Sequence, residues 1–382
     1  MNHYKKLVIL LFCLIYTSSC SNNFVINPNI KQGFIPIEKP KVNYKYNKLP
    51  KIINIILENS YDESSTQFTK GVIANYFYHK ETKGYSPKLN FFYLDKVSLD
   101  KCNLKNLKSN HSILFINLEF YKKIQKNCLR EIINLKGVIV NLDNKEIEKG
   151  NVINVSRAKD FKNILSFARN KNNSSLIMTD KLKGQENSIE STWKGLGGNV
   201  IFSNKQEGTN RSLSELLLLE SSKERKRRLS RNLSIPLEGT PRRRQDLDSL
   251  IISSSISKAR SLKPELDYNF GESLTVYFIP EWNNNEVYSK RELDLNDIYL
   301  VDMPWMFNTQ SYVSERNSLK KNRNFALGFD SLETLLLQLN PSSSNKFIYK
   351  GLSGQITYQK GSLKRKSLKA QVKEGSFEFI DY

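Results

Sequence analysis

Apolar and polar positions are patterned differently in successive parts of these 382 residues. "LVILLFCLIY" (Leu7–Tyr16) is an unbroken apolar run behind Lys5 and Lys6. It is too short to span a bilayer as a mature helix and reads as the core of a signal peptide. Ser21–Pro50 carries four prolines and many asparagines without a lasting period, so it reads as an extended tether. A coil of that length reaches about 30 Å on average and about 100 Å at most.

From Lys51 onward, strand-length apolar runs alternate with helix-length segments. "KIINIIL" (Lys51–Leu57), "KLNFFYL" (Lys88–Leu94), "SILFINL" (Ser112–Leu118) and "GVIVNL" (Gly137–Leu142) are strand runs. Helices are predicted over "STQFTKGVIANYFYH" and "FYKKIQKNCLREIINL". A second series follows: a helix over "AKDFKNILSFARNK", a strand at Ser174–Thr179, and a helix stopped by the glycines of "GLGGN" before another strand. Leu247–Ser253 and Ser273–Ile279 are strand runs around the helix "SISKARSLKPEL", where Ile256, Ala259 and Leu262 share a face. Short buried-type strands separated by helices imply βαβ units and mostly parallel sheets. Two such series predict an α/β protein of two Rossmann-like lobes. "GFDSLETLLLQLN" is a further amphipathic helix, and the tail after it alternates with glycine turns like small antiparallel strands.

Composition allows this: 39% of residues are hydrophobic and 25% charged, enough for a core. The net charge of +21 bears on solubility and partners, not on fold. Lysine and asparagine are spread over the whole chain, so the charge does not mark a nucleic-acid surface. The runs Lys223–Arg228 and Arg242–Arg244 read as a solvated connection whose arginines pair with Asp246, Asp248 or carbonyls. The "Ser18-Ser19-Cys20" ending resembles a bacterial lipoprotein signal, with Thr17 where leucine is usual. It implies residues 1–19 as the signal and Cys20 as the lipidated, palmitate-bearing mature N-terminus. Cys13 leaves with the signal, and Cys102 and Cys128 remain, either paired as a disulfide or as two thiols.

Catalytic constellations are missing. His79 and His111 have no Cys/His cluster beside them, so no metal site is expected. No nucleophile elbow, P-loop or dinucleotide fingerprint occurs. Several Ser-x-x-Lys strings, such as Ser98–Lys101 and Ser318–Lys321, stand without the motifs that make that pattern catalytic. Asp246 and Asp248 flank a strand start and need not converge. The sequence reads as no enzyme and as needing no cofactor.

"RRRQDLDSLIIS…ARSLKPELDYNF" resembles the LppC/LpoA family of penicillin-binding protein activators. The resemblance rests on Arg242, Arg243, Arg244, Asp246 and Asp248, then Arg260, Lys263 and Pro264. It is joined by "DMPW", with Asp302, Pro304 and Trp305, and by "STWKGLGGNV", "GFDSLETLLLQL" and "GLSGQITYQKGSLKR". Asp297 stands where that family more often has glycine.

The resemblance implies a type I periplasmic-binding-protein-like α/β fold, with two Rossmann-like lobes and interlobe crossovers, over residues 51–382. Lobe 1 is expected at about 51–155 plus 305–342, and lobe 2 at about 156–290 plus 343–382. It implies an outer-membrane lipoprotein facing the periplasm, whose partner is a class A penicillin-binding protein and which binds no nucleic acid. Larger members carry an N-terminal helical-repeat domain where this chain has only the Ser21–Pro50 tether. Trp282, Trp305 and the Lys223–Arg228 run are candidate partner contacts, with a core position as the other reading of Trp305. The alternative is a small-molecule receptor, with Glu58–Gln67 offering polar groups at the cleft.

Overall fold

The computed structural model describes residues 44–58, 62–93, 111–117, 122, 137–141, 152–154, 157–179, 185–203, 212–282, 286–307 and 321–381. The signal, Cys20, most of the tether, Cys102, Cys128 and, apart from residue 122, the helix predicted over 120–135 lie outside them.

The first series folds into one parallel sheet. Strands β1 (Ile52–Leu57), β2 (Lys88–Tyr93), β3 (His111–Ile116), β4 (Gly137–Asn141) and β5 (Val152–Asn154) lie in the order β2-β1-β3-β4-β5. Residues 53–57 of β1 are all buried, as a parallel strand covered on both faces requires. Helix α1 (Glu63–Lys83) follows β1 and ends at Gly84, whose φ of 66° supplies the left-handed stop. Phe68 of α1 stacks on Phe115 of β3 with ring centroids 4.1 Å apart.

The second series begins with α2 (Arg157–Arg169), then β6 (Ser174–Thr179), α3 (Gln185–Gly195) and β7 (Asn199–Ser203). Helices α4 (Leu213–Leu216) and α5 (Leu219–Leu233) come next, with β8 (Ser249–Ser254), α6 (Ile256–Tyr268), β9 (Thr275–Pro280) and β10 (Ile298–Asp302) after them. Helix α6 runs through Pro264 rather than stopping there. Its Ile256, Ala259 and Leu262 are buried, on the face that the sequence spacing sets. A seven-stranded sheet has the order β15-β14-β10-β9-β8-β6-β7. Its two antiparallel edge strands, β14 (Leu368–Lys373) and β15 (Ser376–Asp381), come from the tail. The rest of the tail, β11 (Lys346–Lys350), β12 (Gln355–Gln359) and β13 (Ser362–Lys366), forms a separate antiparallel sheet.

Helix α7 (Arg323–Leu339) joins the two halves. It packs along α1, and every residue from Phe325 to Leu337 is buried. Asn322 caps it, accepting from the amides of Asn324 (2.8 Å) and Phe325 (3.4 Å). The chain leaves the first sheet after β5 and the second after β10. Both crossings start at carboxyl strand ends, so among the described residues those edges face each other and the amino edges face away from each other.

Candidate functional site

The family-motif residues fall into separate groups rather than one site. The first group sits at the amino edge of β8. Arg243 sends its guanidinium to the Ser273 hydroxyl (2.7 and 3.1 Å) and to the carbonyls of Arg244 and Leu247 (2.9 and 3.0 Å). Arg244 makes a bidentate pair with Asp246, both contacts at 2.6 Å. The Arg244 hydrogen bonds hold the Asp246 carboxyl below the usual range. Asp248 accepts from the amides of Asn173 (2.9 Å) and Ser174 (3.0 Å) and from the Ser174 hydroxyl (3.1 Å), which lowers its pKa in turn. Arg242 is exposed, and its amide donates to the Ser222 hydroxyl. Asp246 and Asp248 therefore serve different partners and do not converge.

These geometries predict unequal costs. The Asp246 side chain is 58% exposed, so its pair with Arg244 is worth at most about 1 kcal/mol. Asp248→Ala strands two backbone donors and is expected to cost about 1–3 kcal/mol. Thermal melting of the two single variants checks the order; equal midpoints would contradict it.

The second group lies along α6. Arg260 holds the buried Glu292 in a bidentate pair (2.6 and 3.0 Å) and reaches Val287 O and Ser289 Oγ. Lys263 pairs with Asp267 one turn on. Arg260 thereby fastens α6 to the 287–292 segment, whereas the Lys263–Asp267 pair lies within the helix.

The third group sits where β10 hands the chain across. Asp302 is buried and receives both arms of Arg323 (2.9 and 2.6 Å), the Tyr288 hydroxyl (3.1 Å) and the Met303 amide (2.7 Å). Pro304 opens a short 3₁₀ turn, Pro304–Met306. Trp305 takes the core one of its two readings. It is 3% exposed, stacked on Phe325 at 5.4 Å, because the turn points it into the core beside α7. Trp282 is half-buried, with the Arg365 guanidinium 5.2 Å from its ring centre. Asp297, where glycine is commoner, has φ 63°, a left-handed conformation that aspartate tolerates better than most residues.

Three further buried clusters lie elsewhere in the fold, and none was singled out as a site from the sequence. Asp160 pairs with Arg365 at 2.9 Å, and Arg365 also donates to Ser353 O and Ser367 Oγ. Glu333 accepts from His79 (2.8 Å), Asn75 (3.0 Å) and the Tyr44 hydroxyl, so His79 is a structural histidine. Asp330 accepts from Tyr349 Oη and Leu352 N (both 3.0 Å) and from Ser353 N and Oγ (2.6 and 2.5 Å). The available signal was polar: Asp330, Glu333 and Thr334 interrupt an otherwise apolar helix.

Burial pushes the Asp330 carboxyl up to about 6, against the pull of those hydrogen bonds. A raised carboxyl pKa means that the folded state holds the proton more tightly than the unfolded chain. The Asp330 contribution to stability therefore falls as pH rises from about 4 to about 6 and is flat above that. The melting difference between wild type and Asp330→Asn is expected to move through that window; a difference constant from pH 4 to 7 would contradict the assignment.

The carboxyl strand edges are where a fold of this kind receives ligands. Glu286 occupies the amino end of α6 there, accepting from Ile256 N (2.6 Å), Ser257 N (3.4 Å) and the Ser257 hydroxyl. A helix start that could take a ligand carboxylate is thus filled by the chain's own. In the other sheet, Glu58 is taken by the amide (3.1 Å) and side chain (2.7 Å) of Asn117. Within Glu58–Gln67, residues 59–61 lie outside the described set, and Ser65 is buried in α1. Among the described residues no group of three His, Cys, Asp or Glu is placed to hold a metal, and no helix is long and apolar enough to cross a membrane.

Residues 184–355 match the family described as "LppC putative lipoprotein". Over that stretch the chain is similar to the LppC family. The stretch spans the second series from α3, the crossing and α7, and so includes all three motif groups. Full-length LpoA from Haemophilus influenzae superposes with a TM-score of 0.56 at 11% identity, over 87% of this chain and 59% of that one. The chain thus spans 59% of the length of that protein. The C-domain of LpoA (YraM) from the same organism, a regulator of PBP1A, gives 0.55 at 14% identity, over 86% of this chain and 99% of that one. A "putative branched-chain amino acid ABC transporter" from Chromobacterium violaceum gives 0.52 at 12% identity, over 87% and 99%. At such identities the likeness establishes the fold, which is that of type I periplasmic binding proteins. No curated protein matches the chain in sequence. The resemblance to the LppC/LpoA family, expected from the motifs, holds over residues 184–355.

Proposed function

We propose that this chain is a non-enzymatic lipoprotein that binds a class A penicillin-binding protein and stimulates its peptidoglycan synthesis. Lipid on Cys20 anchors it in the outer membrane, facing the periplasm. The observation that carries the reading is the LppC match over residues 184–355, on a fold shared with the C-domain of a PBP1A regulator. The filled helix start at Glu286 supports a binding module over a small-molecule receptor. Binding can shift the synthase only by its differential affinity for active and inactive states. A several-fold stimulation corresponds to about 1–2 kcal/mol of coupling.

Direct titration of the purified full chain against its own organism's class A synthase tests the partner. Saturable binding is expected. Absence of binding, with micromolar affinity for an amino acid or sugar instead, would replace this reading by the receptor one.

A further inference from the structure

Helix α5 and the segment that returns from it, Leu219–Arg242, form an arm on the second sheet's half. Of the residues Leu219–Leu233 only Leu219 is buried. Lys223, Arg225, Lys226, Arg227, Arg228 and Arg231 face Glu220 and Glu224 alone among the acids of the helix. Glu220 pairs with Lys223 (2.5 Å), and Glu224 with Arg227 (3.7 Å) and Arg231 (3.3 Å). Among the described residues no carboxylate is within ion-pair distance of Arg225 or Arg228. The positive charge is therefore only partly neutralised.

The arm is held in shape. Lys226 donates to Gly239 O at 2.7 Å, and the Ser230 hydroxyl to Ile235 O at 2.6 Å. Between helix and returning chain lies an open groove of about 400 Å³, walled by Lys226, Arg227, Pro236, Leu237 and Pro241. Beyond it Leu229, Leu233 and Ile235 are 54%, 56% and 53% exposed. Single exposed aliphatics are ordinary. Three at the carboxyl end of α5 and just beyond it, close in sequence to Arg225, Arg228 and Arg231, have the composition of an apolar anchor with a charged rim.

Position selects the occupant. The arm leaves its half at the amino edge of β8, where the Arg244 amide donates to Leu217 O at 3.0 Å. Tyr44, from which the chain leads back toward Cys20, is tied to Glu333 near the end of α7, just before the amino edge of β1. These amino edges face away from each other, so the arm is rooted on the side of the described fold away from Tyr44. A surface reached from the far side is a protein partner's, not the anchoring membrane's.

We propose that the arm Leu219–Arg242 docks an acidic patch with an aliphatic centre on the synthase's periplasmic part. This rests on the partner reading above. The test uses the full chain in detergent with two variants, Arg225→Glu/Arg228→Glu and Leu229→Ser/Leu233→Ser, and Lys364→Glu as a control on an exposed strand position. Because the substituted side chains are exposed, all three are expected to melt with wild type.

Each arm variant is expected to bind the synthase about tenfold or more weakly, with Lys364→Glu unchanged. Wild-type affinity should fall with salt, while that of the charge-reversed variant should fall much less. If both arm variants bind like wild type, the arm assignment is overturned while the partner reading stands. If wild type does not bind at all, both fall. A third result also overturns it: arm-dependent pelleting on phosphatidylglycerol vesicles with synthase affinity unaltered, which would make a lipid surface the occupant.

Discussion

Replacing Asp302 with alanine is expected to cost about 3–5 kcal/mol, the range for breaking a buried ion pair from one side. Arg323 would then keep its charge in a buried site with no carboxylate in front of it. The same change strands the Met303 amide and the Tyr288 hydroxyl, both of which donate to Asp302. These groups hold the end of β10 to the start of α7, so the loss falls on the join between the halves. Chemical denaturation of Asp302→Ala and of the double variant Asp302→Ala/Arg323→Met separates the two contributions. The double variant is expected to recover part of the loss, because the stranded charge is gone. A single variant within about 1 kcal/mol of wild type would contradict the buried-pair account.

The second large effect is steric. A Cβ on Gly328 of α7 would lie 2.0 Å from the Phe68 carbonyl oxygen of α1. One on Gly71 of α1 would lie 2.0 Å from the Phe325 carbonyl oxygen of α7 and 2.8 Å from the Phe329 amide nitrogen. The obstacles are backbone atoms, so no rotamer change relieves them and the helices must part. Gly328→Ala is expected to cost about 3 kcal/mol or more, at the upper end of overpacking, since α7 is buried along nearly its whole length. A melting midpoint lower by roughly 4 °C or more is the corresponding reading for a folded chain of this size. A midpoint within about 2 °C of wild type would mean that the helices are spaced more widely than described.

Much of the fold was legible because parallel strands announce themselves. Ile52–Leu57, Ser174–Thr179 and Ser249–Ser254 are apolar runs whose burial leaves few alternatives. The short strand Val152–Asn154 was not legible, because three residues carry no period. The division of the tail between two sheets was hidden as well, since alternation shows that a strand exists but not which sheet takes it.

The site was less legible than the fold. The motif gave Asp302 but not Arg323, which lies 21 positions on and pairs with it only because the chain crosses between the halves there. Trp305 was left with two readings, because an aromatic in a short polar-flanked motif reads equally as an anchor or as core. The basic run Lys223–Arg228 was visible as charge. Its three exposed aliphatic neighbours were not, because a leucine in a helix is ordinarily buried.

The central claim is that this protein changes a synthase's rate by binding it. The most direct measurement adds purified protein, from Ser21 onward, to its own organism's class A penicillin-binding protein and follows glycan polymerisation and crosslinking. The account predicts a several-fold rise that saturates with added protein, and no product when the synthase is left out. An unchanged synthase rate at saturating protein would contradict it.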